Sequence, residues 1–215
     1  MNRAPLPDQL KRMPVVGIIR RQPREDIEFI AEQLVAGGMT TLEITMNTPG
    51  VETIISNLKN TYSDQLLLGA GTVCSVEDLD RALGCGASYI VTPVLVPEII
   101  EKAVALGIPI FPGAFTPTEI FRAWSLGATM VKVFPAGIGG PAYIKDVLAP
   151  LDNVLLMPSG GVTPENYTQF LQAGASAVGI GSNLFPKKMV EDRDAAGLST
   201  YYQELVRNYQ TYKST

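Results

Sequence analysis

The sequence predicts a closed (β/α)8 barrel, and three observations point to it. Eight short segments are apolar without alternation, which is typical of strands buried on both faces. They begin 20 to 26 residues apart, which leaves room for one helix and its loops, and glycines close the intervening segments. We interpret the eight strands as Val15–Arg20, Thr41–Thr45, Leu66–Gly71, Tyr89–Pro93, Pro109–Pro112, Met130–Pro135, Val154–Ser159 and Ala177–Ser182.

The segments between the strands carry the signals that begin and end helices. Thr116-Pro117-Thr118-Glu119 places a capping Thr, a Pro at the first helical position and a Glu that closes a capping box. Thr163-Pro164 is expected to open a helix in the same way. Leu6–Met13 is predicted as a short helix under the barrel, and Ser199–Lys213 as the last helix. Glycines suited to a left-handed helix end follow at Gly38, Gly86, Gly107, Gly127 and Gly174.

A doubly wound open sheet is the alternative architecture. Its nucleotide-binding signature is missing, because Arg20–Pro23 after the first strand contains no glycine. Eight consecutive strand–helix units favour a closed TIM barrel, and 215 residues lie at the compact end of the usual size range. We therefore expect residues 1–215 to form a single-domain barrel with a short N-terminal helix.

Composition removes several classes of function. The chain has no histidine, which excludes Ser-His triads, His-based zinc sites and imidazole bases. Its net charge of −4 argues against nucleic-acid binding, and Cys74 and Cys85 are too few for a thiolate metal cluster. We expect no signal peptide, no membrane span and no metal. The expected location is the cytoplasm.

Two charged residues are predicted to point into the barrel. Lys132 alternates with Val131 and Val133 in its strand, and Glu43 alternates with Leu42 and Ile44. The pair has two interpretations that spacing alone leaves open. It is either a structural ion pair, or a neutral amine that attacks a carbonyl beside the carboxylate that moves its protons.

A second group of residues predicts a phosphate site. Ser159, Gly160 and Gly161 follow the seventh strand, and Gly181 and Ser182 end the eighth. Loops after these two strands often bind phosphate in this architecture, because glycines let an anion approach backbone N–H groups. The same glycines would also simply permit tight turns, but their occurrence after both strands favours phosphate.

The barrel mouth offers further candidates. Arg20 ends the first strand and is placed to clamp a carboxylate, although an exposed arginine reaching solvent is an alternative. Thr72 follows the third strand at the same level.

These residues lie in motifs that resemble the class I aldolases of the 2-keto-3-deoxy-6-phosphogluconate / 4-hydroxy-2-oxoglutarate aldolase family. The resemblance spans nearly the whole chain and is carried by Val16–Arg20, Leu42–Thr45, Gly69–Thr72, Val91–Pro93, Pro112-Gly113, Lys132–Pro135 and Gly160–Asn166. It implies a trimer that needs no metal or organic cofactor.

The resemblance also implies residue roles. Lys132 would form a Schiff base with pyruvate, Glu43 would transfer protons, and Thr72 would bind the pyruvyl carboxylate. Ser182 and the glycines near 160 and 181 would hold the distal phosphate. The full set of remaining substrate-binding residues would be Arg20, Pro93, Phe134, Ser159, Gly160, Gly161, Gly181 and Ser182.

Two departures from the family pattern stand out. Met46-Asn47-Thr48 lacks the arginine that often binds the substrate carboxylate, and we expect Arg20 to supply that charge. Asn47 resembles the 6-phosphogalactonate branch. Ser159 replaces a common Thr and keeps its hydroxyl.

The sequence therefore predicts cleavage of a 2-keto-3-deoxy-6-phospho sugar acid, of the gluconate or galactonate series, to pyruvate and glyceraldehyde 3-phosphate. Cleavage of 4-hydroxy-2-oxoglutarate is one alternative, and a phosphate-binding barrel that is not an aldolase is another.

Overall fold

The strands of the computed structural model, which describes residues 3–214, run parallel around one barrel. They are β1 (Val15–Ile19), β2 (Thr41–Thr45), β3 (Leu67–Gly71), β4 (Tyr89–Val91), β5 (Ile110–Phe111), β6 (Gly113–Ala114), β7 (Val131–Val133), β8 (Leu156–Pro158) and β9 (Val178–Ile180). One sheet has the order β5-β4-β3-β2-β1-β9, and the other has the order β6-β7-β8.

Two seams join these sheets into a closed barrel. At the first, Pro112 interrupts the fifth barrel strand, so that β5 pairs with β4 while β6 pairs with β7. A proline cannot donate a ladder hydrogen bond, and the predicted Pro109–Pro112 strand is therefore two short strands. At the second seam, Ser159 bridges Gly179. The nine strands thus occupy eight barrel positions, and the predicted (β/α)8 fold is confirmed.

Most strands are shorter than the sequence predicts, chiefly at their carboxyl ends. Only Thr41–Thr45 has the predicted bounds. At the mouth the chain leaves the hydrogen-bonded ladder and turns outward toward the next helix. Among the predicted site residues, Arg20, Pro93, Phe134, Ser159 and Gly181 consequently lie beyond the strands at the mouth, and Ser182 begins a short 3-10 helix.

Helices surround the barrel. They are α1 (Asp8–Arg12), α2 (Arg24–Ala36), α3 (Val51–Tyr62), α4 (Val76–Gly84), α5 (Pro97–Ala105), α6 (Pro117–Ser125), α7 (Gly140–Leu148), α8 (Tyr167–Gln172), α9 (Lys187–Glu191) and α10 (Ala195–Lys213). None of the helices in the described residues combines the length and the apolar character needed to cross a membrane.

Local signals set most helix ends as predicted. The Thr116 side chain and Glu119 form a full capping box at α6. The five predicted left-handed glycines all have positive φ, from +68° at Gly107 to +104° at Gly174. Glycine has no Cβ to clash in this conformation, which is why it ends these helices.

Three helix bounds differ from the prediction. The first helix is only Asp8–Arg12, and the last begins at Ala195 because the Asp194 side chain accepts a hydrogen bond from Gly197 N at 2.9 Å. Helix α8 begins at Tyr167 and not at Thr163-Pro164. There the Asn166 side chain accepts from Thr163 N at 2.8 Å and donates to Gly161 O at 3.0 Å, which holds a turn before the helix.

The core has two layers with different roles. The outer layer packs aliphatic strand residues against the helices and includes Leu42, Ile44, Val131 and Val133. The inner layer fills the lower half of the barrel, where α1 contributes Leu10 as the floor. Its other buried members are Val16, Ile18, Tyr89, Val91, Phe111, Met130, Met157 and Ala177. Polar side chains inside the barrel therefore stand on an apolar base.

Candidate active site

A cavity of about 390 Å³ opens at the carboxyl ends of the strands, where barrel enzymes place their active sites. Its walls come from the ends of β1, β7, β8 and β9 and from the loops that follow them. The lining residues are Ile18, Arg20, Gln22, Lys132, Phe134, Ser159, Gly160, Gly161, Val162, Gly181, Ser182 and Asn183.

Lys132 reaches the cavity from the middle of β7. Its neighbours Val131 and Val133 belong to the outer apolar layer, so strand alternation turns Lys132 inward. The side chain is 5% exposed, and its Nζ lies 5.6 Å from the centre of the Phe134 ring. A lysine this buried has exchanged most of its contacts with water for contacts with protein.

Glu43 lies inside the barrel on β2, and it depends on a glycine of β3. A Cβ added at Gly71 would lie 1.7 Å from Glu43 Oε1, so the carboxylate occupies the space that any other residue would fill. Glu43 is 1% exposed, and neither of its carboxylate oxygens has a hydrogen-bond partner among residues 3–214. A buried carboxylate without partners is costly, which makes a purely structural role a poor explanation.

The electrostatics of Glu43 suit proton transfer. Burial raises the pKa of its carboxyl group, and the positive charges of Lys132 and Arg20 lower it by a smaller amount. A carboxyl group whose pKa is raised in this way both accepts and releases protons nearer to neutral pH than an exposed one does.

The glycine loops lie on the opposite side of the cavity. Gly160 and Gly161 have φ of +78° and +84°, and Gly160 O accepts a hydrogen bond from Gly137 N at 2.7 Å. A Cβ at Gly161 would lie 2.6 Å from Gly137 Cα, so the two loops touch where only glycine fits. Gly181 has open space above its Cα, and Ser182 follows it at the rim. Gly181 therefore offers open backbone to an anion, while the Phe134 ring lies against Gly160.

The cavity gathers eight of the eleven candidate site residues, and three lie elsewhere. Glu43 lies deeper, next to Gly71. Pro93 lines a smaller neighbouring cavity of about 120 Å³ that shares Phe134 with the main one. Thr72 is half-buried in the loop after β3 and does not line either cavity. Its φ of +56° is strained for a β-branched residue, a feature that concentrates at functional sites.

Asn47 lies in the turn after β2, where its side chain is hydrogen bonded within the turn and does not line the cavity. Asn47 is exposed, and its Oδ1 accepts a hydrogen bond from Thr45 Oγ1 at 2.7 Å. Thr48 Oγ1 in turn accepts from Arg21 N at 3.0 Å. These bonds order the turn, and the cation that faces the cavity from this side is Arg20.

Four lining residues were not among the sequence candidates: Ile18, Gln22, Val162 and Asn183. Strand alternation could have found Ile18, because it lies two residues before Arg20 on the same face. Gln22 and Val162 lie in loops and Asn183 lies in a short 3-10 helix, where no periodic signal applies.

Comparison with known proteins agrees with this geometry. Residues 6–200 match the family of KDPG and KHG aldolases. The chain is 34% identical to the 2-dehydro-3-deoxy-6-phosphogalactonate aldolase of Escherichia coli, over 91% of this chain and 98% of that one. It is 33% identical to the 2-dehydro-3-deoxy-phosphogluconate aldolase of Pseudomonas aeruginosa, over 94% and 90%.

A solved structure points the same way. The KDPG aldolase from Legionella pneumophila, with pyruvate captured at low pH as a covalent carbinolamine intermediate, superposes with a TM-score of 0.84. It is 28% identical, over 92% of this chain and 96% of that one. The chain therefore belongs to the KDPG and KHG aldolase family and is a lyase of the aldolase type.

Proposed function

We propose that this enzyme cleaves a 2-keto-3-deoxy-6-phospho sugar acid to pyruvate and glyceraldehyde 3-phosphate through a Schiff base on Lys132. The observation that carries the proposal is the cavity itself. It joins a buried lysine to glycine loops suited to a phosphate, and an unpartnered carboxylate whose pKa that lysine lowers lies deeper in the barrel.

Lys132 is the nucleophile in the proposed reaction. Its neutral amine attacks the C2 carbonyl of the substrate to give a carbinolamine, which loses water to form an iminium ion. The pyruvate carbinolamine captured in the Legionella aldolase is an intermediate of this kind. The iminium ion then accepts the electron pair that is released when the C3–C4 bond breaks.

Glu43 is the proposed acid and base. It relays the protons of carbinolamine formation through a water molecule, and it takes the proton of the C4 hydroxyl as the C3–C4 bond breaks. Glyceraldehyde 3-phosphate leaves, and the enamine that remains on Lys132 is protonated at C3. Hydrolysis then releases pyruvate and restores the amine.

The proposed binding residues divide by the charge they meet. Arg20 and Thr72 bind the carboxylate of the substrate, with Pro93 and Phe134 beside the pyruvyl group. Ser159, Gly160, Gly161, Gly181 and Ser182 hold the phosphate end. The breadth of the cavity, from Lys132 to Ser182, supports a substrate that is charged at both ends.

The decisive experiment is reduction with borohydride in the presence of pyruvate, followed by peptide mass mapping. We expect a reduced pyruvate adduct on Lys132 and none in the Lys132→Met variant. Lys145→Met, on the outer helix α7, is the matched control and should keep the adduct. A wild-type enzyme that forms no adduct, or an adduct at another lysine, would refute the proposed mechanism.

The substrate series needs a separate assay. We propose a phosphorylated substrate because the glycine loops complete the cavity, whereas 4-hydroxy-2-oxoglutarate would leave them empty. Both C4 epimers of the phosphorylated substrate and 4-hydroxy-2-oxoglutarate should be compared by kcat/KM. An advantage of more than about tenfold is expected for the phosphorylated substrates, since each hydrogen bond to a charged group contributes about 1.5–3 kcal/mol. Equal values would favour 4-hydroxy-2-oxoglutarate.

We also propose that the enzyme works in the cytoplasm as a homotrimer built from single-domain subunits. Support for assembly comes from apolar side chains left open to solvent near the mouth, with Ile138 75% exposed and Phe121 56% exposed. The chain is also 33% identical to a chain of a designed cage made by fusing symmetric oligomeric domains. Size-exclusion chromatography with light scattering tests the state directly, and a monomer would refute it.

A further inference from the structure

Tyr89 is a buried polar residue that the proposed mechanism does not use. It begins β4, its side chain is fully buried in the inner layer, and its hydroxyl has no hydrogen-bond partner among residues 3–214. Phe111 packs against its ring at 5.3 Å between centroids. Apolar packing explains the ring but leaves the hydroxyl unexplained, because an unpaired buried hydroxyl costs free energy.

Strand register places Tyr89 level with Glu43. Glu43 on β2 pairs with Gly69 on β3, and Gly69 pairs with Tyr89 on β4. A Cβ added at Gly69 would lie 2.2 Å from Cζ of the Tyr89 ring, so the ring crosses β3 toward β2. The phenol oxygen therefore points to the strand that carries Glu43.

The two side chains approach each other above β3. Tyr89 covers Gly69 and the Glu43 carboxylate covers Gly71, two residues further toward the mouth. Two residues of strand span about 6.6 Å. Hydrogen bonds between oxygen atoms are about 2.8 Å long, so a phenol C–O bond followed by two hydrogen bonds through one water molecule would span that distance.

Thr41 is a third unpartnered polar group on the inner face of the barrel. It lies two residues before Glu43 on the same face of β2, it is fully buried, and its Oγ1 has no hydrogen-bond partner within residues 3–214. The Glu43 carboxylate extends the other way, to the level of Gly71, so Thr41 lies about four strand residues, or roughly 13 Å, below it and does not share one water molecule with it. The phenol and the carboxylate are themselves the two polar partners that a buried water molecule requires.

We propose that Tyr89 is a positioning residue for Glu43, its phenol hydrogen bonded to the carboxylate through one water molecule. The phenol donates toward the carboxylate, which favours the ionised, proton-accepting form of Glu43. The other charged groups that act on this carboxylate are Lys132 from β7 and Arg20 after β1. Tyr89 supports Glu43 from the floor side and leaves the mouth side free for the reaction.

This inference rests on the proposed function, and its test isolates the proton-transfer step. Glu43 would catalyse exchange of the methyl protons of pyruvate with D2O, which NMR follows without any aldehyde. In Tyr89→Phe we expect exchange to slow about tenfold near neutral pH. We also expect the acid limb of its pH–rate profile to move to higher pH by about one unit. The KM for pyruvate should be unchanged, and borohydride should still trap the pyruvate adduct on Lys132.

Two further variants make the result specific. Tyr202→Phe removes another buried hydroxyl that is unpartnered within residues 3–214, on α10 and outside the barrel, and should leave exchange unchanged. Thr41→Val removes another unpartnered hydroxyl of β2 that is too far from the carboxylate to reach it through one water molecule, and it should also leave exchange unchanged. If either control variant slowed exchange as much as Tyr89→Phe, the inference would be overturned.

Distinct outcomes separate this inference from the proposed function. A wild-type enzyme that neither traps pyruvate nor exchanges its protons would refute the proposed function. A wild-type enzyme that does both, with a Tyr89→Phe variant of unchanged rate and pH profile, would overturn only the inference. In that case Tyr89→Phe should also melt at a higher temperature, because the hydroxyl it removes was merely unpaired.

Discussion

Two sides of the barrel differ in their chemistry: one buries a carboxylate below the mouth, and the other lines the cavity with glycine backbone. On the side of β2 and β3, a charged side chain is buried, and Glu43 has no hydrogen-bond partner within residues 3–214. On the side of β8 and β9, the walls are exposed or half-buried backbone at Gly160, Gly161 and Gly181. In the proposed reaction, the first side moves protons and the second side holds an anion.

Each side is built on glycine for a different reason. Gly71 makes room for a neighbouring side chain and has an ordinary backbone conformation. Gly161 has a φ of +84° and also touches Gly137. A methyl group added at the first should therefore disturb catalysis, and one added at the second should disturb binding. Paired kinetic measurements separate the two effects.

The largest effect is expected from Gly71→Ala. The new Cβ would lie 1.7 Å from Glu43 Oε1, so the carboxylate must leave its place although Glu43 itself is unchanged. We expect kcat to fall about 10- to 100-fold, toward the value of Glu43→Gln, because misplacement of a general base by about 1 Å is enough for such a loss. Steady-state kinetics with the phosphorylated substrate measure it.

Gly84→Ala is the matched control for that variant. Gly84 ends α4 with nothing within 4 Å of its added Cβ, and the change should preserve kcat. If Gly71→Ala kept the wild-type kcat while remaining folded, the carboxylate would not need its observed position. The role proposed for Glu43 would then be wrong.

A smaller effect, mainly on KM, is expected from Gly161→Ala. The methyl group would press on Gly137 at 2.6 Å and move the loop that faces the phosphate. We expect KM for the phosphorylated substrate to rise about tenfold with kcat within about threefold, since lost binding is uniform along the reaction. Pyruvate methyl-proton exchange, which involves no phosphate, should be unaffected.

Gly50→Ala separates backbone strain from the loop contact. Gly50 has a φ of +70°, nothing within 4 Å of its added Cβ and a position before α3, outside the cavity. It carries similar left-handed strain but should leave KM unchanged. A Gly161→Ala variant that lowered kcat and exchange together would show that the glycine side also shapes the reacting centre.

Side chains on regular strands were the predictable part of this site. Alternation alone turned Lys132 and Glu43 inward, and five glycines were placed at helix ends in the conformation that they adopt. The closed barrel followed from spacing, because a strand–helix unit needs a minimum length. These features depend on local periodicity, which a sequence shows directly.

Contacts between strands were not predictable in the same way. The space that Gly71 leaves for Glu43 depends on register and on a side-chain rotamer, and the break at Pro112 depends on which neighbour each half of the strand pairs with. Tyr89 was visible only as the first residue of an apolar strand. Its reach across Gly69 toward Glu43 is a three-dimensional relation that no spacing rule contains.

The smallest effect concerns stability, and it comes from the same Glu43. Burial raises the pKa of this carboxyl above its ordinary value of 4.5, so the folded chain binds the proton more tightly than the unfolded chain. The free energy of unfolding therefore falls as pH rises from 4.5 through the raised pKa, and it stays lower above that. Glu43→Gln has no such titration. Its stability relative to the wild type should increase over this pH window and then level off.

Urea unfolding of both proteins at several pH values between about 4 and 8 measures the difference between their free energies of unfolding. Thermal melting gives a second readout, of about 2–4 °C for each kcal/mol of that difference. Glu98→Gln, which changes an exposed residue of α5, should show no such pH-dependent difference from the wild type. Two results would contradict this prediction: a stability difference that has already reached its full size at pH 4, or a Glu43→Gln variant that is less stable than the wild type at neutral pH. The second would mean that the ionised carboxylate stabilises the fold. The variant expected to lose catalysis should instead be the more stable protein, because the free energy spent on burying Glu43 serves the reaction and not the fold.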